Sequence, residues 1–442
     1  MYSKNVEDVF KSKSIKTGDI IKVKAAVGSF EGMLMPRSEL GDGDIIVLKL
    51  DNGYNIGIRF GDGASIEKIR DGPMLAAVSM PSGSSHNPNL PKVALIYTGG
   101  TIGSKIDYAT GGVYMLTKPE ELMAEVPELA GIANIEIRHL MSMASEDMGS
   151  AEWKAIAAEV FKAASEGARG IVVTIGTDTM HYASAALSFM LKDLRIPVIL
   201  TGAQRSSDRG SSDAFTNLIC AVQLAAKSEI GEVGICMHAN SSDNYCSFIR
   251  GTKARKMHTS SRDAFRPINS KPLARVYPEG NIEYYSQYRK AAGVGDAKPI
   301  LGFEDKVALI KTHPNLDPNV LDYYVNEGYK GIILEGTGLG HVPTFTSDPK
   351  RSWLEHVKNA ISKGVVVGMT SQCIYGRVNT NVYRTLRLLS AAGVVYCEDM
   401  TPETAYVKLG FLLANYPGKA GEMLNKNMVG EISEKTEIDW LV

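Results

Sequence analysis

Long apolar runs are absent from this sequence. No stretch reaches the roughly 20 residues needed to cross a bilayer, so no membrane-spanning helix is expected. The opening segment, MYSKNVEDVFKSKSIKTGD, has no apolar core of the secretory type, and a cytoplasmic location is expected. An excess of charge is absent too: 48 Lys and Arg against 49 Asp and Glu leave a formal net charge of −1. That balance gives no electrostatic reason for autonomous binding to nucleic acid or to an anionic membrane. Cysteine is scarce, with Cys220, Cys236, Cys246, Cys373 and Cys397 widely spaced, odd in number and never in a C-x-x-C pair. This pattern argues against structural zinc and against a disulfide framework, and it suits a reducing compartment. The eight histidines include no H-x-x-x-H pair, and His181 and His258 read as structural neighbours rather than ligands.

Several catalytic signatures are missing as well. No G-x-x-x-x-G-K-[ST] phosphate loop occurs where it would be sought, since Lys105 does not follow a glycine. The dinucleotide pattern G-x-G-x-x-G is absent from Gly99 to Lys105, and no G-x-S-x-G elbow marks a serine hydrolase. None of the cysteines sits in a glycine-rich elbow, which weakens a cysteine-dependent glutaminase.

What is present fills 442 residues, 44% hydrophobic and 22% charged, enough for two or three ordinary globular domains. Short apolar runs at Ile20–Val23, Gly32–Met35, Asp44–Leu48 and Asn55–Arg59 alternate with the turns Gly41-Asp42-Gly43 and Asp51-Asn52-Gly53. They predict a small β-barrel within residues 1–75. The Pro, Ser, Gly and Asn-rich stretch MPSGSSHNPNLP predicts an exposed linker, with 76–91 as its bounds.

Beyond it the pattern turns to α/β. Val93–Tyr97, Gly170–Ile175 and Pro197–Leu200 read as buried strands, and Glu152–Ala164, Met180–Leu191 and Asp213–Ala226 as helices. This alternation predicts a mainly parallel sheet in a first lobe, 92–292. Val307–Ile310, Gly331–Leu334 and Val365–Gly368 predict a second α/β lobe, 300–442, after a break at Ala291–Pro299.

In open parallel sheets ligands bind beyond the carboxyl ends of the strands. Two strand ends carry threonine-rich turns: Thr98-Gly99-Gly100-Thr101 after VALIY, and Gly176-Thr177-Asp178-Thr179 after IVVTI. A threonine hydroxyl needs activation to act as a nucleophile. Asp178 stands beside Thr177, and a lysine is available in the basic stretch Arg250–His258, which on composition alone reads as a solvated surface loop.

TGGTIG (98–103), SEDM (145–148), GTDTM (176–180) and the lysine in RKMHTSSRDAF (255–265) together resemble the asparaginase/glutaminase family, from about residue 92 to the C-terminus. The resemblance implies a two-lobed α/β amidohydrolase with no metal or organic cofactor. It carries Thr101 over as the nucleophile, with Thr177 as the alternative, and sets Asp178 and Lys256 around Thr177. Tyr114, in GGVYMLT, matches a lid tyrosine that helps activate Thr101. Ser145 and Glu146 match the pair holding the substrate's amino-acid head group, and Gly100 and Gly176 join the substrate-binding set through their turns.

The residues preceding TGGT, together with RKMHTSSRDAFRPINSKPLARV, are similar to the D subunits of archaeal glutamyl-tRNA(Gln) amidotransferases. That implies a homodimeric glutaminase passing ammonia to a partner E subunit. The partner would use ATP and Mg, hold most of the tRNA(Gln), and amidate its attached glutamate. The alternatives are a stand-alone asparaginase and a non-catalytic amino-acid sensor. Leu339 in Gly336-Thr337-Gly338-Leu339 stands where many asparaginases have asparagine, and the intact Thr101, Thr177, Asp178 and Lys256 set argues against the sensor.

Overall fold

The computed structural model describes residues 2–35, 42–50, 55–71, 87–100, 102, 104–106, 113–115, 126–206 and 211–436. Residues 76–86 of the expected linker lie outside them.

The N-terminal module has five strands where the sequence suggested four: β1 Ile20–Ala25, β2 Gly28–Leu34, β3 Ile45–Lys49, β4 Asn55–Arg59 and β5 Ser65–Arg70. All pairings are antiparallel, in the order β4-β3-β2-β1-β5, and among the described residues the edges β4 and β5 do not pair to close a barrel. Ile21, Val23, Leu34, Ile46, Leu48, Ile58 and Ile66 point into one core. Val6 and Phe10, one turn apart on the helix Lys4–Ser12, enter the same core. The helix thus covers apolar surface that strand pairing alone leaves open.

The first lobe is built on β6 Lys92–Tyr97, β9 Asn134–His139, β10 Gly170–Thr174, β11 Val198–Thr201 and β12 Val233–His238, with the short hairpin β7 Ser104–Ile106 and β8 Val113–Met115 between β6 and β9. These five sheet strands are parallel, in the order β9-β6-β10-β11-β12. Antiparallel β13 Cys246–Arg250, β16 Ala274–Val276 and β17 Ile282–Tyr284 extend the far edge. Strand β10 is buried at every position, because helices cover both faces of a parallel sheet. The chain moves outward from β6 to β9 and then returns to the other side of β6 as β10. The β6/β10 junction is therefore the switch point where such sheets open a crevice.

The second lobe carries a four-stranded parallel sheet, β18 Val307–Lys311, β19 Gly331–Gly336, β20 Val366–Ser371 and β21 Val395–Tyr396. The two lobes share a core. The helix Met180–Met190 is apolar or small-residued nearly all round, as a helix buried on every side must be. It packs against the second-lobe helix Pro402–Asn415, with Phe189 and Phe411 stacked at 5.7 Å.

Candidate active site

Both threonine turns end up at the switch point. Thr98 Oγ1 donates to Thr174 O at 2.7 Å, locking the end of β6 to that of β10. The chain then takes positive φ at Gly99 (112°) and Gly100 (88°), a region open to glycine and strained for other residues. A Cβ on Gly100 would lie 2.5 Å from Gly176 N, and one on Gly176 would lie 2.9 Å from Ser145 N, Cβ and Oγ. The absence of side chains therefore lets three segments nest: the turn after β6, the turn after β10, and Ser145–Asp147. The loop after β11 adds a wall that the sequence did not single out. A Cβ on Gly202 would lie 3.1 Å from Thr177 Cγ2. Buried Asp213 holds this loop by accepting from Gln204 N at 3.0 Å and Arg205 N at 3.1 Å.

Ser145 is buried, and its Oγ accepts from Thr179 N at 3.3 Å and donates to Glu146 Oε2 at 3.4 Å. The Glu146 carboxylate is exposed at the rim, available to a cationic group. Lys256 arrives from β14 Ala254–Lys256, which pairs with β15 Phe265–Pro267 in a separate two-stranded ladder. Its Nζ donates to Thr177 Oγ1 at 2.9 Å and to Asp178 Oδ1 at 2.6 Å. Thr177 is buried, while the Asp178 side chain is 64% exposed, so one end of the group is sheltered and the other open to an arriving substrate.

The basic stretch is not a solvated loop. Arg250 pairs with Glu232, Lys253 with Asp399, Arg255 with Glu403 and Lys256 with Asp178. Composition misled here because each cation finds its carboxylate in a distant part of the chain. The pairings of Lys253 with Asp399 and Arg255 with Glu403 went unrecognised in the sequence.

Thr101 lies outside the described residues, as does the side chain of Tyr114. The backbone of Tyr114 pairs with Lys105 across the β7–β8 hairpin. His181 is buried in the first turn of its helix. Desolvation, and then the nearby Arg255 and Lys256 cations, push its pKa down to about 3, against a smaller opposing pull from Asp178. It is a neutral neighbour of the site, in line with its sequence reading. His258 accepts from Ser260 N and Ser261 N through Nδ1, shaping the turn after Lys256. Burial raises the Cys236 and Cys246 thiols and pushes Cys397 up to about 12, so these thiols stay protonated. Leu339 turns onto the second-lobe core. A cavity of about 450 Å³ opens at the lobe junction behind Thr179, lined by Met148, Ser150, Tyr182, Phe303 and Tyr406.

Known proteins match this arrangement along the whole chain. Residues 92–290 match the family model for the N-terminal domain of asparaginase, 306–422 the glutaminase/asparaginase C-terminal domain, and 15–69 the GatD N-terminal domain. The glutamyl-tRNA(Gln) amidotransferase D subunit of Pyrococcus abyssi is 47% identical over 441 residues, covering 98% of this chain and 99% of the relative. That of Methanopyrus kandleri is 45% identical, covering 98% and 94%. Among solved structures, the thermostable L-asparaginase of Thermococcus kodakarensis superposes with a TM-score of 0.68 at 30% identity, covering 78% of this chain and 100% of that one. L-asparaginase I of Vibrio cholerae gives 0.67 at 30% identity, covering 78% and 99%. An asparaginase fold preceded by the N-terminal module, with relatives matched over nearly their full length, places the chain in the family of glutamyl-tRNA(Gln) amidotransferase D subunits.

Proposed function

We propose that the chain is the glutaminase component of a tRNA-dependent amidotransferase, releasing ammonia from glutamine by threonine nucleophilic catalysis. The observation that carries this reading is the Lys256 ammonium held between Thr177 Oγ1 and Asp178 Oδ1 at the switch-point crevice. A cation there stabilises negative charge developing on a threonine oxygen, and Asp178 fixes its direction.

Glutamine's α-ammonium group would sit against Glu146 and Asp178, with its α-carboxylate on backbone donors near Ser145. This holds the side-chain amide carbon against a threonine oxygen and makes the attack effectively unimolecular. Thr101 attacks, and backbone N–H groups of the turns at Gly100 and Gly176 steady the tetrahedral oxyanion. The hydroxyl proton passes to the amide nitrogen, the C–N bond breaks, and ammonia leaves. Water then cleaves the acyl-threonine ester to give glutamate, with Tyr114 assisting from the lid. No metal or organic cofactor enters these steps. The ammonia goes to a partner E subunit, which uses ATP and Mg to amidate glutamate on tRNA(Gln), and two copies of the chain form the working dimer.

A diazoketone analogue of glutamine, followed by peptide mass spectrometry, tests the nucleophile. Labelling of Thr101 is expected. Labelling of Thr177 would transfer the role to it, and labelling of neither would overturn threonine catalysis.

A further inference from the structure

The Lys256 strand lies outside the main sheet of its own lobe. Among the described residues β14 pairs only with β15. Further anchors come from the second lobe. Lys253 Nζ lies 2.7 Å from Asp399 Oδ2, with both side chains 1% exposed. Arg255 Nη2 lies 2.9 Å from Glu403 Oε1, and Thr404 Oγ1 donates to Thr252 O at 3.0 Å. Neighbouring residues on a strand face opposite ways, so Arg255 is held by Glu403 while Lys256 reaches Thr177. Asn269, just beyond β15, is fastened to the same segment by donating to Asp399 O at 3.0 Å.

Thr177 leans on the same support. The helix Met180–Met190 starts three residues after it and packs on the helix Pro402–Asn415 through the Phe189–Phe411 and Tyr182–Tyr406 contacts. Ser184 Oγ on that helix donates to Gly251 O at 2.8 Å, next to the Lys256 segment. Both halves of the Thr177–Lys256 contact are therefore mounted on one helix of the other lobe.

Buried ion pairs are poor stabilisers, since apolar residues of similar volume often do as well or better. One buried pair, Lys253–Asp399, and one partly buried, Arg255–Glu403, two residues apart and both directed at Asp399–Glu403, are better explained as a register device. Burial also raises the Glu403 pKa, with Arg255 as the main opposing charge, so the carboxylate relies on that pairing. We propose that the start of the helix Pro402–Asn415 sets the Thr177–Lys256 distance, with Glu403 and Asp399 acting as positioning residues for amide hydrolysis. The proposal rests on the reading of the site given above.

The test uses the full chain with Glu403→Gln, which is isosteric and removes only the charge, and Arg255→Lys, which keeps the cation. Wild type and Lys256→Ala serve as references. For Glu403→Gln, kcat with glutamine is expected to fall about 10- to 100-fold, as for a misplacement of about 1 Å, with KM within about twofold. Glutamate binding should keep its full stoichiometry, and Arg255→Lys should retain most of the rate. A wild-type kcat in Glu403→Gln would overturn the proposal, as would parallel losses of rate and binding stoichiometry, which mark lost folded protein.

Acylation of Lys256, followed by peptide mass spectrometry, gives a readout independent of turnover. A severalfold faster reaction in Glu403→Gln is expected, and an unchanged rate overturns the clamp. If wild type releases no ammonia, the functional reading fails, and the labelling rate still decides the positioning claim.

Discussion

Adding one methyl group at Gly100 should damage catalysis as well as stability. The new Cβ would sit 2.5 Å from Gly176 N and 2.7 Å from Ile175 C, whereas ordinary contact begins near 3.4 Å. Both obstacles are backbone, so no side chain can swing away, and the two turns must separate by about 0.9 Å to relieve the closest clash. A non-glycine residue in the left-handed region and overpacking together cost about 2–5 kcal/mol. A shift near 1 Å between the nucleophile turn and the Thr177 turn costs about 100-fold in rate. Gly167→Ala is the matched control: its φ is +90° at the end of the helix Ser150–Ser165, but nothing lies within 4 Å of an added Cβ. It should lose about 1–2 kcal/mol and no activity. Thermal unfolding and ammonia release measured on both variants decide the matter. A Gly100→Ala enzyme as active as Gly167→Ala would refute the nested-turn geometry.

Other expectations follow from the same site. Thr101→Val and Lys256→Ala should each abolish ammonia release while leaving the circular dichroism spectrum intact; full activity in either folded variant would remove that residue from the mechanism. His181 has a folded pKa pushed from 6.5 down to about 3, so the unfolded chain takes up a proton that the folded chain refuses. Its contribution to stability is thus present above pH 6.5 and is lost at about 1.4 kcal/mol per pH unit as pH falls toward 3. In urea titrations between pH 4 and 6, His181→Asn should show a slope shallower by that amount; an identical slope would mean that the imidazole protonates in the fold. Among the five cysteines only Cys373 is exposed. Iodoacetamide on the native protein should modify it alone and leave ammonia release unchanged, whereas inactivation in step with labelling would point back to a thiol enzyme.

The parts legible in the sequence were local strings. VALIY-TGGT and IVVTI-GTDT announce themselves because a buried parallel strand is continuously apolar and the turn after it is not. The switch point made sense of their pairing, and Gly100 against Gly176 gave the reason for the glycines. Strand β5 was missed because Ile66 is its one buried residue while Glu67, Ile69 and Arg70 are exposed, leaving little apolar pattern to read. The start of β2 was missed because Gly28 and Ser29 carry no apolar side chain, although they pair with Ala25 and Lys24. The bonds fixing Lys256 were illegible for another reason. Lys253 and Asp399 are 146 residues apart, and no local pattern in either segment announces its partner. Resemblance to a family picked out the lysine, but only the folded chain connects it to the second lobe.

The most direct test is ammonia release by the purified chain, with glutamine and asparagine supplied in parallel and then again with the E subunit and tRNA(Gln). Slow turnover that favours glutamine, rising when the partner and tRNA are added, is the expected result. Fast turnover of asparagine by the chain alone, indifferent to both additions, would contradict a partner-dependent glutaminase and make it a self-sufficient asparaginase.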